Sequence, residues 1–270
     1  MTKYEIFAEC FPRFAVGEDI FGRLSKINDV HSIEHYEDGA LAGYALIDRN
    51  ALRLLCVAPQ YRGKGIGTRL LTQAEEYVKA QGYSDILTGG ASSGLFIGAP
   101  EESWGFFRER GFVSEGQCDE MTQYLHDFNI SDYSLRSYDN VHYDWYRGDE
   151  QKLLDAVADV DGDWVQYFRG NKNVYCGFCG DEVACFCIID NNMECMLSDG
   201  ENTVGAVGCV GTVHKFRKRG IGIKMVALAT DILKKRGVEK CFIHYTGVAD
   251  WYAKIGYKTF MTAYFGRKEL

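Results

Sequence analysis

Residues Leu52–Gly82 read LRLLCVAPQYRGKGIGTRLLTQAEEYVKAQG. The pattern predicts a short apolar strand, a basic glycine-rich turn and an amphipathic helix that stops at Gly82. Glycines in the turn leave backbone N–H groups unobstructed at the positive end of the helix. The stretch therefore predicts an anion-binding site that suits a pyrophosphate. The turn consists of Arg62, Gly63, Lys64, Gly65, Ile66 and Gly67.

The same arrangement returns 155 positions later in the chain. The second turn consists of Arg217, Lys218, Arg219, Gly220, Ile221 and Gly222. Behind each turn, apolar residues recur at helical spacing and predict a helix face packed on a sheet. These faces are Leu70, Leu71, Ala74, Tyr77 and Val78 in the first helix, and Met225, Val226, Ala229, Ile232 and Leu233 in the second. The turn, the apolar helix face and the glycine that ends the helix, Gly82 or Gly237, are all separated by the same 155 positions. We therefore interpret the chain as a duplication.

Length and composition fit two domains of ordinary size, which we place at residues 1–128 and 129–270. The chain has 270 residues, of which 46% are hydrophobic and 25% charged, as in soluble globular proteins. A net charge of −8 argues against nucleic acid as a partner, because phosphate binding needs a basic face. We expect neither a membrane span nor a signal peptide from the apolar patterning. Ten cysteines lie mostly in apolar runs, so we expect reduced thiols and a cytoplasmic location.

Alternating apolar residues and turn signals predict further strands. His31–Glu37 and Leu41–Ile47 predict a hairpin that turns at Asp38–Gly39. Met121–Phe128 is interpreted as the last strand of the first half. Val174–Phe178 and Val183–Asp190 predict a second hairpin, which belongs to the second half.

The two turns resemble the [Q/R]-x-x-G-x-[G/A] signature of the GNAT acetyltransferase superfamily, which joins a strand to a helix. Two later segments, Phe106–Phe112 and Trp251–Tyr257, resemble its second motif, aromatic-aromatic-x-x-x-Gly-aromatic. The resemblance covers about Leu46–Val113 and Val204–Phe260, and the tandem arrangement is similar to that of mycothiol-synthase-like proteins. It implies an α/β (α+β) fold with two tandem GNAT-like domains. Each would have a mixed, mostly antiparallel central sheet flanked by helices.

The resemblance also implies a co-substrate and the residues that bind it. Acetyl-CoA is the expected co-substrate, and no metal is expected. Its pyrophosphate would lie on the turn amides, beside Arg62 and Lys64 or Arg217, Lys218 and Arg219. Its pantetheine arm would pair with the strand before each turn, where a backbone N–H would polarise the thioester carbonyl. The strand residues are Leu55, Cys56 and Val57 in the first half, and Val210, Gly211 and Thr212 in the second.

The implied chemistry is direct attack by an amine while a tyrosine hydroxyl protonates the departing thiolate. Tyr252 stands at the matching position of the second half, whereas the first half has Phe107. We therefore expect the second half to move an acetyl group to a primary amine of a small molecule or peptide. Glu201 and His214 are candidates for the general base.

Other interpretations stay open. The basic turns could be solvated surface loops, Tyr252 a buried aromatic partner of Trp251, and His214 a solvated side chain. Cys176-Gly-Phe-Cys179 has a spacing that resembles a metal site. Residues three apart on a strand face opposite sides, however, so we favour core packing over zinc.

The alternative function is a catalytically inactive module that binds or senses acyl-CoA, with its halves as regulatory or dimerisation surfaces. We expect no nucleic-acid or membrane partner, and a homodimer is the assembly we consider. The acceptor amine cannot be deduced, because the segments expected to contact it contain no motif. These segments are Phe11–Ile27, Gly89–Glu102 and Asn191–Asn202.

Overall fold

The structure is a computed structural model that describes residues 1–13, 16–25, 30–89, 98–136, 140–190 and 202–270. In it the chain divides into two compact units. Unit 1 comprises Met1–Glu120 and Phe260–Leu270, and unit 2 comprises Met121–Thr259. Both units combine helices with a mostly antiparallel sheet, which confirms the predicted α/β (α+β) fold class.

Unit 1 contains four helices and seven strands among its described residues, two of the strands shared with unit 2 at their ends. The helices are α1 (Lys3–Cys10), α2 (Glu18–Ser25), α3 (Ile66–Ala80) and α4 (Glu101–Arg108). The strands are β1 (His31–Glu37), β2 (Ala40–Asp48), β3 (Ala51–Val57), β4 (Asp85–Thr88), β5 (Ala99–Pro100), β6 (Val113–Tyr124) and β12 (Lys258–Glu269).

Local sequence explains how several of these elements begin. A capping box opens α1, because the Thr2 hydroxyl accepts a hydrogen bond from Glu5 N and the Glu5 carboxylate accepts one from Thr2 N. The predicted hairpin forms between β1 and β2, with positive φ at Asp38 and Gly39 as its tight turn requires.

The helix α3 buries the face that its periodicity predicts. Four residues of this face are buried against the sheet, namely Leu70, Leu71, Ala74 and Val78. The fifth, Tyr77, stacks on the ring of His31 at the edge of the face. Burial of such side chains stabilises a domain by about 1.5–3 kcal/mol each. This packing holds the glycine turn, at the start of α3, in place over the sheet.

The sheet of unit 1 has the order β1-β2-β3-β4-β12, with β6 beyond β12. All the paired registers described for it are antiparallel except that of β3 with β4. The parallel register joins Ala51 to Leu87 and Leu52 to Thr88. The register ends at Leu52 because β4 ends at its partner, Thr88.

Unit 2 repeats this plan. Its helices are α5 (Glu150–Val160), α6 (Val165–Phe168), α7 (Ile221–Lys235) and α8 (Ala249–Ala253). Its strands are β7 (Val141–Trp145), β8 (Val174–Cys179), β9 (Glu182–Asp190), β10 (Val204–Thr212) and β11 (Lys240–Thr246). The strand order is β7-β8-β9-β10-β11, with the end of β6 beside β11, and β10 is parallel to β11.

The core of unit 2 is rich in cysteine. Cys176, Cys185 and Cys187 are buried on β8 and β9, which form the predicted second hairpin. On α7 the residues Met225, Val226, Ala229 and Leu233 of the predicted face are buried. These thiols therefore act as small apolar side chains in the core, as favoured over a metal site.

Two kinds of feature are absent from the described ranges, a metal-binding cluster and a membrane-spanning helix. These ranges contain no group of three or more His, Cys, Asp or Glu side chains arranged to hold a metal ion. None of their helices is both long enough and apolar enough to cross a membrane.

The compact units have different limits from the predicted domains, 1–128 and 129–270. Residues 121–128, which include the stretch interpreted as the last strand of the first half, belong to unit 2, and residues 260–270 belong to unit 1. The reason is that Val113–Tyr124 forms one long strand, β6, whereas the sequence suggested a separate strand from Met121. As limits of two duplicated halves, residues 128 and 129 stay a prediction.

Candidate active site

The two glycine turns have the same backbone geometry. Gly65 and Gly220 cap the N-termini of α3 and α7, with left-handed φ angles of 76° and 81° and ψ angles of 5°. Glycine adopts this conformation without steric cost. The first N–H groups of a helix have no intrahelical acceptor, so each turn presents them to an anion.

An arginine braces each turn against the strand before it. Arg62 Nε donates a 3.0 Å hydrogen bond to the carbonyl of Val57, and Arg217 Nε donates a 2.9 Å hydrogen bond to the carbonyl of Thr212. Both side chains are exposed and keep their charge at the turn. The arginines that the sequence assigned to phosphate binding therefore also fix the shape of the turn.

One position of the turn differs between the units. Gly63 has a φ of 77°, and the corresponding residue, Lys218, has a φ of 63°. A left-handed conformation costs a residue with a side chain about 1–2 kcal/mol. The second turn therefore holds an additional cation at a cost in backbone strain, and strain of this kind is concentrated at functional sites.

A glycine at the second position of each helix, Gly67 in α3 and Gly222 in α7, allows an aromatic ring to pack on the turn. A Cβ atom on Gly67 would lie 3.5 Å from the ring of Phe106, and one on Gly222 would lie 3.5 Å from the ring of Trp251. A Cβ atom on Gly222 would also lie 2.5 Å from Thr212 Oγ1. The two aromatic motifs therefore occupy equivalent places, and space is tighter in unit 2.

Each strand before a turn parts from its parallel neighbour. β3 pairs with β4 through Ala51 and Leu52, and β10 pairs with β11 over residues 204–206. These registers end before Leu55–Val57 and Val210–Thr212, the residues assigned to the pantetheine arm. Among the described residues these two segments have no parallel partner strand, and a free strand edge can accept an extended chain.

A β-bulge lies in each of these strands. The extra residue of β3 is Arg53, opposite β2. In β10 the register with β9 shifts between Gly208 and Gly211, and Cys209 has a φ of 46°. A bulge turns backbone groups out of the hydrogen-bond ladder. It can therefore present an N–H group to a carbonyl oxygen in the cleft.

Tyr252 and Phe107 hold equivalent places in the two units. Tyr252 packs edge-on against Tyr257 at 6.0 Å, and Phe107 packs edge-on against Phe112 at 5.4 Å. Their exposed fractions are 6% and 7%. Tyr252 therefore differs from Phe107 by its hydroxyl group, in an equivalent packing environment.

The environment of Tyr252 keeps that hydroxyl protonated. Burial raises its pKa, and the thiols of Cys187, Cys209 and Cys241 act in the same direction. Within the described ranges, no hydrogen bond is made to its oxygen. The hydroxyl of Tyr252 is therefore a buried proton donor.

The two candidate general bases have different outcomes. Glu201 lies outside the described residues. His214 begins a short 3-10 helix before the turn, and its side chain is 57% exposed. Its Nδ1 lies 2.9 Å from a carboxylate oxygen of Asp159, whose pKa the hydrogen bonds from His214 lower. His214 is thus held at the surface of unit 2, and its role as a base stays a prediction.

The cleft of unit 1 contains a buried ion pair. Arg53 Nη2 lies 2.7 Å from a carboxylate oxygen of Asp48, and the side chains are 7% and 3% exposed. Residue 208, the position corresponding to Arg53 in unit 2, is a glycine, and a Cβ atom there would meet nothing within 4 Å. The cleft of unit 1 is lined by Phe11, Leu52, Arg53, Leu54, Leu55, Thr88, Gly98, Ala99, Pro100, Ser103 and Phe107.

Acidic charge offsets the cations at the turn of unit 1. Glu37 lies 3.7 Å from the guanidinium of Arg69 and 2.9 Å from His35 Nε2. The hydrogen bond from His35, together with the charges of Lys64 and Arg69, lowers the pKa of Glu37. The carboxylate therefore stays ionised and reduces the positive potential of this turn.

A further cation stands beside the turn of unit 2. A Cβ atom on Gly220 would lie 3.8 Å from Cβ of Arg136. Lys224, which corresponds to Arg69 of unit 1, lies over the ring of Tyr143 at 5.8 Å. Tyr143 in turn donates a hydrogen bond of 3.2 Å to the carbonyl of Ile221 at the start of α7. Arg136 and Lys224 therefore add to the basic side chains around the second turn.

Sequence reasoning missed three features of these sites. Arg53 and Asp48 carried a weak signal, since charged residues interrupt apolar strands there. Arg136 lies 84 residues before Gly220, so no local pattern joins it to the turn. The contact between Cys10 and Arg62 joins residues 52 positions apart, so no local pattern predicted it.

Comparison with known proteins agrees with this geometry. Residues 3–122 match the family model described as "Acetyltransferase (GNAT) domain". A comparison with curated protein sequences gave no match. The resemblance seen in the sequence is confirmed, and residues 3–122 contain a GNAT domain.

Solved structures are similar over nearly the whole chain. A GCN5-related glucosamine N-acetyltransferase region of a fungal multi-domain GH3 β-N-acetylglucosaminidase is 21% identical with a TM-score of 0.78; 97% of this chain and 36% of that chain are covered. This chain thus spans little more than a third of the fungal protein. A GCN5-related N-acetyltransferase from Sphaerobacter thermophilus is 17% identical, with a TM-score of 0.73 and coverage of 98% and 90%. At these identities the likeness shows the fold.

A third structure is described as a tandem GNAT protein from the clavulanic acid biosynthesis pathway. It is 12% identical with a TM-score of 0.65, and 99% of this chain and 96% of that chain are covered. A tandem GNAT fold therefore extends over the whole length of the chain, beyond the stretch that matches the family model.

Proposed function

We propose that the protein transfers an acetyl group from acetyl-CoA to a primary amine of a small molecule or peptide, and that unit 2 performs the reaction. The GNAT fold supports acyl-CoA-dependent N-acetyltransferase activity in general. The choice of unit rests on one observation. Tyr252 brings a protonated hydroxyl into unit 2 where unit 1 has the ring of Phe107.

The turn of unit 2 fits the pyrophosphate of this co-substrate. Gly220 leaves the start of α7 unobstructed, and the surrounding charges of Arg217, Lys218, Arg219 and Arg136 complement an anion. The open edge of Val210–Thr212 would bind the pantetheine arm through backbone hydrogen bonds. The corresponding residues of unit 1 are Leu55–Val57 with the turn Arg62–Gly67.

Acetyl-CoA supplies an activated acetyl group, and the chain supplies orientation and a proton. The bulge of β10 would present a backbone N–H that stabilises negative charge on a carbonyl oxygen in the cleft. Tyr252 holds its proton at the phenolic oxygen and donates it to a departing thiolate. Glu201 or His214 would accept the proton of the attacking amine, and Asp159 orients His214 for this task.

The steady-state kinetics of Tyr252→Phe test the assignment. We expect kcat to fall about 10²-fold with little change in KM for acetyl-CoA, because only proton donation is lost. The matched control is Tyr257→Phe, which removes a buried hydroxyl that bonds Thr230 and Cys241 instead of facing the cleft. This control should lose stability and retain kcat.

The assay would follow CoA release by chromatography across a panel of primary amines. Glucosamine is the first amine to test, because the fungal relative is described as a glucosamine N-acetyltransferase region. Unchanged CoA release by Tyr252→Phe would refute the catalytic assignment. Tight acetyl-CoA binding without turnover of any amine would favour the alternative, an acyl-CoA-sensing module whose halves serve as regulatory or dimerisation surfaces.

The proposal extends to location and assembly. We place the protein in the cytoplasm, where reduced thiols such as those of its cysteine-rich core persist. Its amine substrate would be its main partner, without nucleic acid or membrane. A homodimer is an assembly that analytical ultracentrifugation can test directly.

A further inference from the structure

Two cysteines meet at the base of the first glycine turn. Cys10 is the last residue of α1, and the buried Cys56 lies on β3 one residue before Val57. The Cys10 thiol donates a hydrogen bond of 3.4 Å to the carbonyl of Val57. The side chain of Cys56 is a close neighbour of this sulfur, and the two thiols influence each other's pKa. Residues from two distant parts of unit 1 thus form one thiol pair.

The arginine of the turn completes this cluster. Arg62 Nη2 lies 3.3 Å from Cys10 Sγ, while Nε of the same side chain is bonded to Val57. The side chain of Cys56 and the charge of Arg62 lower the pKa of Cys10 to about 6, against the opposing effect of burial. The guanidinium of Arg62 beside this sulfur therefore favours the thiolate, the nucleophilic form of cysteine.

Cys10 differs in this respect from the core cysteines. Burial raises the pKa of Cys118 to about 12 and that of Cys185 to about 12. Cys56 is fully buried, and its pKa is raised mainly by desolvation. Cys10 is partly exposed, whereas Cys118 and Cys185 are buried. A reactive, accessible cysteine beside a second thiol is the arrangement found in redox-sensitive sites.

We propose that Cys10 and Cys56 form an oxidant-sensitive dithiol in unit 1, with Cys10 as the residue that a hydroperoxide oxidises and Cys56 as the residue that closes the disulfide. This modification site is independent of the proposed acetyl transfer. The corresponding position of Cys56 in unit 2 is Gly211, so the site belongs to unit 1.

The reaction balances with one molecule of hydrogen peroxide as the oxidant. The Cys10 thiolate attacks one peroxide oxygen, the O–O bond breaks, and hydroxide leaves and takes up a proton as water. Cys10 is then a sulfenic acid. The sulfur of Cys56 attacks it, the S–O bond breaks, and the departing hydroxide takes the Cys56 proton as a second water. Two thiols are oxidised by two electrons, and the peroxide is reduced to two waters.

Oxidation acts on the turn through Arg62. In the reduced protein Arg62 has two anchors, the Val57 carbonyl and the Cys10 sulfur. A disulfide sulfur has no negative charge, so the second anchor is lost and only the carbonyl remains. The disulfide also ties α1 to β3.

Peptide mapping of the wild-type protein after treatment with hydrogen peroxide tests the proposal. Tryptic peptides 4–13 and 54–62 each contain a single cysteine, as does peptide 111–136 with Cys118. We expect peptides 4–13 and 54–62 to become joined, with the loss of two hydrogens. Cys10 should be oxidised at least about tenfold faster than Cys118, as its larger thiolate fraction requires.

Variants separate the parts of the mechanism. Cys56→Ser should leave a sulfenic acid on Cys10 that dimedone traps, and Arg62→Gln should slow oxidation of Cys10 about fivefold or more. The matched control is Arg217→Gln, which removes the same brace from unit 2 and should leave the rate unchanged. Oxidation of Cys10 no faster than Cys118, or a Cys10 that never joins Cys56, would overturn the proposal. These readouts are independent of acetyl transfer, so each proposal fails separately.

Discussion

The glycine turns of unit 1 and unit 2 have the same backbone conformation but different neighbouring side chains. Both are braced by an arginine and capped by a left-handed glycine. Around the first stand Glu37, which offsets its charge, and Cys10, which bonds to its arginine. Around the second stand the cations Arg136 and Lys218. The same local structure therefore supports different electrostatics and different chemistry.

The clefts beyond the turns differ in the same manner. Unit 1 has a buried Arg53–Asp48 pair and a phenylalanine ring, whereas unit 2 has an open Gly208 and a tyrosine hydroxyl. An ion pair in the first cleft occupies space and neutralises charge. A fold can therefore be kept while one copy retains the groups that a reaction needs.

The largest effect is expected when Gly208 of unit 2 is replaced by arginine, the residue that unit 1 has at the equivalent position 53. We expect Gly208→Arg to lower kcat/KM for acetyl transfer by about 10²-fold or more, because a long charged side chain would enter the cleft. Gly208→Ala is the matched control and should be tolerated, since its Cβ would meet nothing within 4 Å. Both are measured by steady-state kinetics with thermal melting. Full activity of Gly208→Arg would mean that catalysis lies elsewhere.

The reverse change tests the ion pair. Arg53→Gly would leave Asp48 buried without its partner, so we expect the free energy of unfolding to fall by about 3–5 kcal/mol, as measured by urea titration. Turnover per folded molecule should be unchanged if unit 2 alone is active. The double variant Asp48→Asn with Arg53→Met should recover part of the loss, because no charge is then left unpaired.

An effect of intermediate size is expected from substituting the glycine at the second position of a helix, Gly222 in α7 or Gly67 in α3. Gly222→Ala should lower the free energy of unfolding by about 1–3 kcal/mol and raise KM for acetyl-CoA, because its Cβ would lie 2.5 Å from the stiff side chain of Thr212. Gly67→Ala is the control, since its Cβ would lie at an ordinary 3.5 Å from Phe106. Equal losses for the two variants would contradict the tighter packing of unit 2.

The smallest expected effect concerns charge beside the turns. Arg136→Ala should weaken acetyl-CoA binding to unit 2 by about fivefold at low salt and less at high salt, because exposed charges are screened. Glu37→Gln changes a charge beside the other turn and should leave this affinity within about twofold. Isothermal titration calorimetry measures the acetyl-CoA affinity of both variants. A larger effect from Glu37→Gln would assign the binding site to unit 1.

Much of each site could be predicted from the sequence. The glycine turns, the buried faces of α3 and α7, and the contrast between Tyr252 and Phe107 all lie where periodicity and motif spacing indicated. These features are local, since turn conformation and helix amphipathicity depend on residues a few positions apart.

Other features had no local pattern to reveal them. The division of β6 at residue 120, and the inclusion of Phe260–Leu270 in unit 1, follow from backbone pairing between strands distant in sequence. An apolar alternation predicts a strand and one buried face, and it carries no information about which sheet the strand joins. The limits of the compact units were therefore beyond sequence reasoning.

The sequence by itself determined that the chain has two strand–turn–helix units with glycine turns, because glycine and helix geometry are set by neighbouring residues. Only the tertiary structure decided what surrounds each turn. Cys10 lies beside Arg62, Arg136 beside Gly220 and Arg53 against Asp48 because the chain packs them there. Charge and thiol reactivity depend on such through-space neighbours, so they became visible only with the fold.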